Sequence, residues 1–325
     1  MIEVKGFKFS GISAGLKKSG KKDLGLIYSE APCVAHAIFT KNKVVAAPLI
    51  VGKSIIKKNS IQSIIVNSGN ANACTGNDGI LATKEILKCI ASYAKMKTYN
   101  FFPSSTGIIG EKLNYEVIKI NIPKLFHSLK KNSYNDFAKA ITTTDKFTKI
   151  SHKVLKIGKT KYNFLGIAKG AGMIRPNMAT MLSYVFTDAI IEKDILENIT
   201  TRLVNESFNR ITIDGDTSTN DAAMLAATGK SEISISNLET KEQEKYFSCL
   251  EYVFQQLAVE LIKDAEGATK FVTVNVSEGQ DEEECLKVAY CVAESLLVKT
   301  AVFASDPNWG RILAAIGRAG LESLE

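Results

Sequence analysis

The sequence predicts an α/β fold, with mixed sheets and helices layered on them. Short strand-like runs bounded by Gly, Asn or Lys dominate the first third of the chain. Apolar stripes at helical spacing alternate with them further on. No repeat of 20 to 50 residues and no low-complexity tract occurs, which argues against solenoids and propellers. With 325 residues and 45% hydrophobic content, the chain has ample material for a substantial core.

Four runs read as strands at the start: KGFKFSGISAG, DLGLIYSE, VAHAIFT and QSIIVNSGN. GILATKEILKCIASYAK follows as a helix, because Ile86, Leu87, Ile90 and Tyr93 fall on one side at a period of 3.6. YNFLGIAKGA and ATMLSYVFTDA read as strands. Ile191, Ile195, Ile199, Leu203 and Phe208 then trace a helical stripe over 191–208, and Phe247, Leu250, Val253, Leu257 and Leu261 another over 242–263. FVTVNVSEG alternates as a strand would. DEEECLKVAYCVAESLL opens with four acids, which suit the positive end of a helix dipole. TAVFASDPNWGRILAAIGRAG reads as strand, turn, helix.

The first residues, MIEVKGFKFS, lack a continuous apolar segment, and no run approaches the roughly eighteen apolar residues of a spanning helix. The expectation is a soluble, cytosolic protein. Cys33, Cys74, Cys89, Cys249, Cys285 and Cys291 never form C-x-x-C, and His36, His127 and His152 offer no ligand spacing, so no metal is expected and the thiols are read as reduced. The net charge of +7 is dispersed, with short clusters such as Lys17–Lys18 and Lys21–Lys22. Solubility explains it, and no aromatic platform supports nucleic-acid binding.

Several short motifs carry competing readings. Gly11-Ile12-Ser13-Ala14-Gly15 matches a hydrolase nucleophile turn, but the LKKSGKK that follows cannot begin an amphipathic helix. GLKKSGKK resembles a phosphate-binding loop until Lys22 replaces the magnesium-holding hydroxyl. Asn67 to Asn72 reads as a tight structural loop or a functional one. Pro103 to Gly110 gathers small residues and a flexible Gly, as an oxyanion hole needs, or forms an ordinary loop.

KGAGMIRPNMATML, residues 169–182, is the most unusual stretch. One reading is a turn feeding a strand. The other is a scissile bond between Ala179 and Thr180, with Gly170, Gly172 and Pro176 supplying an unusual local path. Cleavage there would give Thr180 its own α-amine, whose reference pKa is about 7.7 to 8.0. The amine would serve as general base to the adjacent hydroxyl, and no histidine would be required.

KGAGMIRPNMATMLSYVFTDA closely resembles the cleavage region of the ornithine acetyltransferase family, also called the glutamate N-acetyltransferase or arginine-biosynthesis bifunctional family. FTKNKVVAAP (39–48), VNSGNANACTG (66–76), SSTGIIG (104–110), ITTTD (141–145), DGDTSTND (214–221), KDAEGATK (263–270) and SDPNWGRILAA (305–315) resemble its other blocks, in family order.

The resemblance implies an αββα-type layered sandwich with N-terminal-nucleophile-like architecture. It also implies self-cleavage into an α segment (1–179) and a β segment (180–325), assembled as α2β2. The implied reaction is ping-pong transfer of an acetyl group from N-acetylornithine through Thr180 to glutamate, in arginine biosynthesis. No cofactor is implied, although acetyl-CoA serves some members as donor. Position by position, Thr180 matches the nucleophile and Thr106 and Gly107 the oxyanion-hole pair. Thr143 (or Thr144), Lys169 and Glu266 match substrate-contacting positions. Lys169 suits the substrate carboxylate and Glu266 an ammonium. Asp306, Asn308, Trp309 and Arg311 suit packing or assembly.

Family members usually continue for several dozen residues past NWGRI, whereas this chain stops at LESLE, and Arg175 stands where the family is often small. Two competing readings follow: an N-terminal-nucleophile amidohydrolase or aminopeptidase, with water as acceptor, and a truncated member that is silent or only binds.

Overall fold

A computed structural model of the chain describes residues 2–175 and 181–322. Its elements run β1 (Phe7–Ile12), β2 (Leu24–Phe39), α1 (Ala47–Ile56), β3 (Ile61–Asn70), α2 (Gly76–Ala94), β4 (Phe101–Ile108), α3 (Tyr115–His127) and α4 (Tyr134–Ile141). They continue through β5 (Lys149–Ile157), β6 (Thr160–Lys169), β7 (Leu182–Thr187), α5 (Lys193–Glu206), β8 (Ala222–Ala227), α6 (Thr240–Lys263), α7 (Glu282–Ala293), α8 (Leu296–Phe303) and α9 (Trp309–Gly317).

β2 organises the fold. The runs DLGLIYSE and VAHAIFT, expected as two strands, are one strand whose register breaks between Tyr28 and Cys33. Pro32 lies in that break, where a residue without an N–H cannot continue a ladder. Before the break β2 pairs antiparallel with β1 and β3, and β4 adds parallel to β3. After it β2 pairs antiparallel with β8, and β7, β6 and β5 complete the second sheet. Strands from both 1–179 and 180–325 thus share one sheet.

Alternation decides which side chains meet between the sheets. Leu182, Tyr184 and Phe186 of β7, with Ala222, Met224 and Ala226 of β8, join the core of the first sheet. Phe186 meets Phe7 edge-on at 4.7 Å between ring centroids and Phe9 at 5.6 Å. The opposite parity, Val185 with Ala223, Leu225 and Ala227, packs on α5 and α6. There Tyr246, Leu250, Val253, Phe254, Leu257 and Leu261 form the buried stripe of α6. α4 lies against β1 and β2 and sets Phe137 against Tyr184 of the second sheet, at 5.9 Å. On the outer face of the first sheet, Ile65 and Pro103 share a small space with Pro48 of α1, Ile86 of α2 and Ile118 of α3. The layers therefore run helix, sheet, sheet, helix, and the molecule is a mixed α/β sandwich.

The helices over 191–208 and 242–263 form close to where periodicity puts them. Two expectations do not hold, and one is refined. Tyr93, placed on one side of α2 with Ile86, Leu87 and Ile90, is 43% exposed and packs its ring on Phe126 at the helix edge. FVTVNVSEG forms no strand; no described ladder receives it, and its Val274 packs instead on Val292, Val298 and Ala315. TAVFA lies in a helix, because Ser295 accepts from Val298 N and starts α8 ahead of it, and a short apolar run carries no periodicity to tell helix from strand. α8 and α9 leave Leu296, Phe303 and Trp309 exposed, with Trp309 at 71%. Asn308 caps α9 by accepting from Arg311 N, and the Arg311 guanidinium donates to Leu297 O and Thr300 Oγ1.

Among the described residues, no helix is long and apolar enough to cross a membrane.

Candidate active site

β3 and β4 run parallel, with Ser68 opposite Thr106 and Gly69 opposite Gly107. The asparagine-rich end of β3 and the residues just after it brace the site. Ser105 Oγ donates to Asn67 Oδ1 at 2.6 Å, Asn67 Nδ2 to Asn70 O at 2.8 Å, and Asn72 N to Asn70 Oδ1 at 2.8 Å. Among the described contacts, Asn67 to Asn72 is thus a scaffold for the SSTG segment. Gly107 has φ +132°, and a Cβ there would lie 2.3 Å from Gly69 C. Only glycine fits this position.

Lys169 ends β6 and is buried, and its Nζ lies 3.1 Å from Thr106 Oγ1. This contact joins the second sheet to the first. An ammonium only donates, so Thr106 oxygen is the acceptor and its own O–H is left to donate elsewhere. Burial pushes the Lys169 ammonium below its usual pKa, against the opposing pull of Asp145.

Asp145 follows Thr143 by two residues and accepts from its N–H at 2.8 Å through Oδ2. Through Oδ1 it accepts from Gly170 N and Lys149 Nζ, each at 2.7 Å. Burial alone would raise this carboxyl, but Lys169 and Lys149 outweigh it and hold it below the usual range. Lys149 also reaches Asp264 Oδ2 at 2.5 Å. Lys17 borders the same region through a 2.7 Å bond to Thr142 O, and partial burial lowers its pKa to about 8. Two residues beyond Asp264, the exposed Glu266 donates its backbone N–H to Ala171 O at 2.8 Å. A Cβ on Gly172 would stand 3.2 Å from the Glu266 carboxyl.

β7 runs between β6 and β8, with Lys169 opposite Leu182 and Leu182 opposite Ala222. Met181 N donates to Asp221 Oδ1 at 2.8 Å. Asp221 is buried, and its Oδ2 has no hydrogen-bond partner among the described residues. Burial raises its pKa well above the usual carboxyl value, although Met181 N and Lys169 oppose this. Beside it, Asn220 Nδ2 donates to Ser105 O and Ala71 O, so the DGDTSTND block also clasps the first sheet.

Thr106, Gly107, Thr143, Lys169 and Glu266 therefore stand on segments that hydrogen bonds tie together. Ala179 and Thr180 lie outside the described residues. Sequence reading missed Asp145, Lys149, Asp221 and Asn220. Their signal was slight: single polar residues closing the ITTTD and DGDTSTND blocks, and one lysine opening a strand.

The fold and these contacts define a mixed α/β sandwich whose two sheets meet at a buried lysine and a hydroxyl–glycine pair. The ArgJ family model matches residues 8–325, and the chain belongs to that family. It is 44% identical over 320 residues to the arginine biosynthesis bifunctional protein ArgJ of Desulfotalea psychrophila, covering 98% of this chain and 81% of that protein. Against the protein of the same name in Pseudomonas fluorescens it is 43% identical over 325 residues, covering 99% and 80%. The crystal structure of the Bacillus halodurans arginine biosynthesis bifunctional protein matches at 38% identity and a TM-score of 0.51, over 54% of this chain and 92% of that one.

Proposed function

We propose that the chain cleaves itself between Ala179 and Thr180 and then moves an acetyl group from N-acetylornithine to glutamate through acetyl-Thr180, in arginine biosynthesis. Family membership along nearly the whole chain supports the pathway. The observation that carries the chemistry is the Lys169–Thr106 contact. It leaves a buried hydroxyl free to donate beside Gly107, on a strand end that Asn220, the residue before Asp221, holds through Ser105 O.

In the first half-reaction Thr180 Oγ attacks the acetyl carbonyl. The hydroxyl proton passes to the Thr180 amine, the Oγ–C bond forms, and the developing oxyanion takes hydrogen bonds from Thr106 Oγ1–H and Gly107 N–H. As the amide C–N bond breaks, the amine returns the proton to the leaving ornithine nitrogen. Glutamate then attacks the ester by the reverse sequence, its proton goes to the amine, and Thr180 Oγ is restored. Lys169 faces the substrate carboxylate and Glu266 its distal ammonium. No cofactor or metal takes part. Acetyl-CoA is a second donor by the same path, with a thiol as leaving group. The two segments assemble as α2β2, and the site of action is the cytoplasm.

Intact-mass measurement under denaturing conditions tests the cleavage: two species are expected, and a single species near 35.4 kDa refutes it. Beyond one stoichiometric turnover, ornithine release from N-acetylornithine should require glutamate. Release indifferent to glutamate would establish hydrolysis instead.

A further inference from the structure

The proposed substrate contacts sit on three separate stretches, 142–145, 169–172 and 264–266, and one buried ion cluster ties them together. Lys149 opens β5 with no solvent exposure. Its ammonium lies 2.7 Å from Asp145 Oδ1 and 2.5 Å from Asp264 Oδ2, and both carboxylates are equally buried. Asp145 holds the backbone of Thr143 and of Gly170, the residue after Lys169. Asp264 receives Lys146 N at 3.0 Å and lies two residues before Glu266, whose N–H is fixed on Ala171 O. Lys169 acts on the cluster through the effect of its charge on Asp145.

A buried ion group of this kind contributes little net stability over an apolar replacement, because desolvation offsets the attraction. What it does impose is geometry, since each partner is left uncompensated if the others move. Here the geometry joins the Lys169 end of the site to the Glu266 end twice, directly through the Glu266 N–H on Ala171 O and indirectly through the Lys149 ammonium.

We propose that Lys149 is a specificity-determining positioning residue: it sets the separation of Lys169 from Glu266, and so the length of the N-acetylated diamino acid the site accepts. This rests on the roles given above to Lys169 and Glu266.

The test compares kcat/KM for N-acetylornithine with kcat/KM for its one-methylene-shorter and one-methylene-longer homologues, N2-acetyl-2,4-diaminobutyrate and N2-acetyllysine. Wild-type protein should prefer the ornithine compound over both by about 10-fold or more, the discrimination one methylene provides. Lys149→Arg keeps the charge but alters its reach. It should cut that preference about 10-fold while leaving Tm within a few degrees and self-cleavage complete. Asp264→Asn should do the same if Lys149→Arg does not fold. A wild type indifferent to length, a folded variant with an unchanged preference, or loss of fold in both variants overturns the proposal; the last outcome marks a purely structural cluster. If wild-type protein transfers from none of the three compounds, the acetyltransferase reading itself fails.

Discussion

Lys169 ends a strand of the second sheet and Thr106 stands in a strand of the first, yet the lysine ammonium donates to the threonine hydroxyl across 3.1 Å. The contact fixes the rotor of a buried hydroxyl. With its oxygen occupied by a donor, Thr106 keeps its own O–H free to donate, as the oxyanion role proposed for it requires.

Thr106→Val keeps the shape and removes that hydrogen. The expected result is a kcat about 10²- to 10³-fold lower with KM little changed, the usual effect of deleting one oxyanion donor. Steady-state ornithine release with saturating glutamate measures it. A rise in KM with kcat unchanged would show that the hydroxyl binds substrate rather than the transition state.

Much of this arrangement was legible in the sequence, for identifiable reasons. The helices with full apolar stripes, α2, α5 and α6, declare themselves by period. β7 and β8 are short apolar runs whose two faces meet different layers, so composition marks them as buried without saying what covers them. The bend in β2 is a tertiary event: Pro32 breaks the ladder, but only the two different partner sets turn one strand into the hinge of two sheets. In the site, Thr106 and Gly107 stand out because small residues and a glycine cluster there. Lys149, Asp145 and Asp264 do not, because their meaning lies in a contact made across more than a hundred residues. An isolated lysine reads as surface, and 41 Lys and Arg in the chain hide the sealed Lys149 among them.

Gly107→Ala should destabilise the protein whatever it does to the chemistry. The added methyl meets backbone atoms of Gly69 and Asn70 at 2.3 and 2.5 Å, and φ at +132° is strained for any L side chain. A loss of ~3 kcal/mol or more is expected, which lowers Tm by roughly 6 °C or more for a chain of this size. Calorimetry of the purified variant decides, and a Tm equal to wild type would contradict the close parallel pairing of β3 and β4.

Gly172→Ala and Glu266→Gln should act on the same substrate group. The first crowds the Glu266 carboxyl at 3.2 Å, and the second removes its charge. Both should raise KM for N-acetylornithine, Glu266→Gln by roughly 10- to 100-fold, as expected for a charge-assisted hydrogen bond. KM for glutamate, which has no distal ammonium, should change little. Equal effects on both substrates would move Glu266 away from the ammonium.

Asp221 supplies a pH prediction whose sign follows from burial. Its folded pKa lies well above the unfolded value of about 4. Below that value both states are protonated and the residue contributes nothing. As pH rises through it, the unfolded chain releases the proton while the folded carboxyl retains it, so the native state binds more protons and stability falls with pH until the folded pKa is reached. Asp221→Asn preserves the acceptor for Met181 N and cannot titrate. The Tm of the variant relative to wild type should therefore climb as pH goes from 4 towards 7, with a free-energy slope of at most about 1.4 kcal/mol per unit. Paired thermal melts at intervals across that range give the slope. A difference that stays constant, or that shrinks with rising pH, would mean that Asp221 is ionised in the folded protein and that its unpartnered oxygen carries a charge.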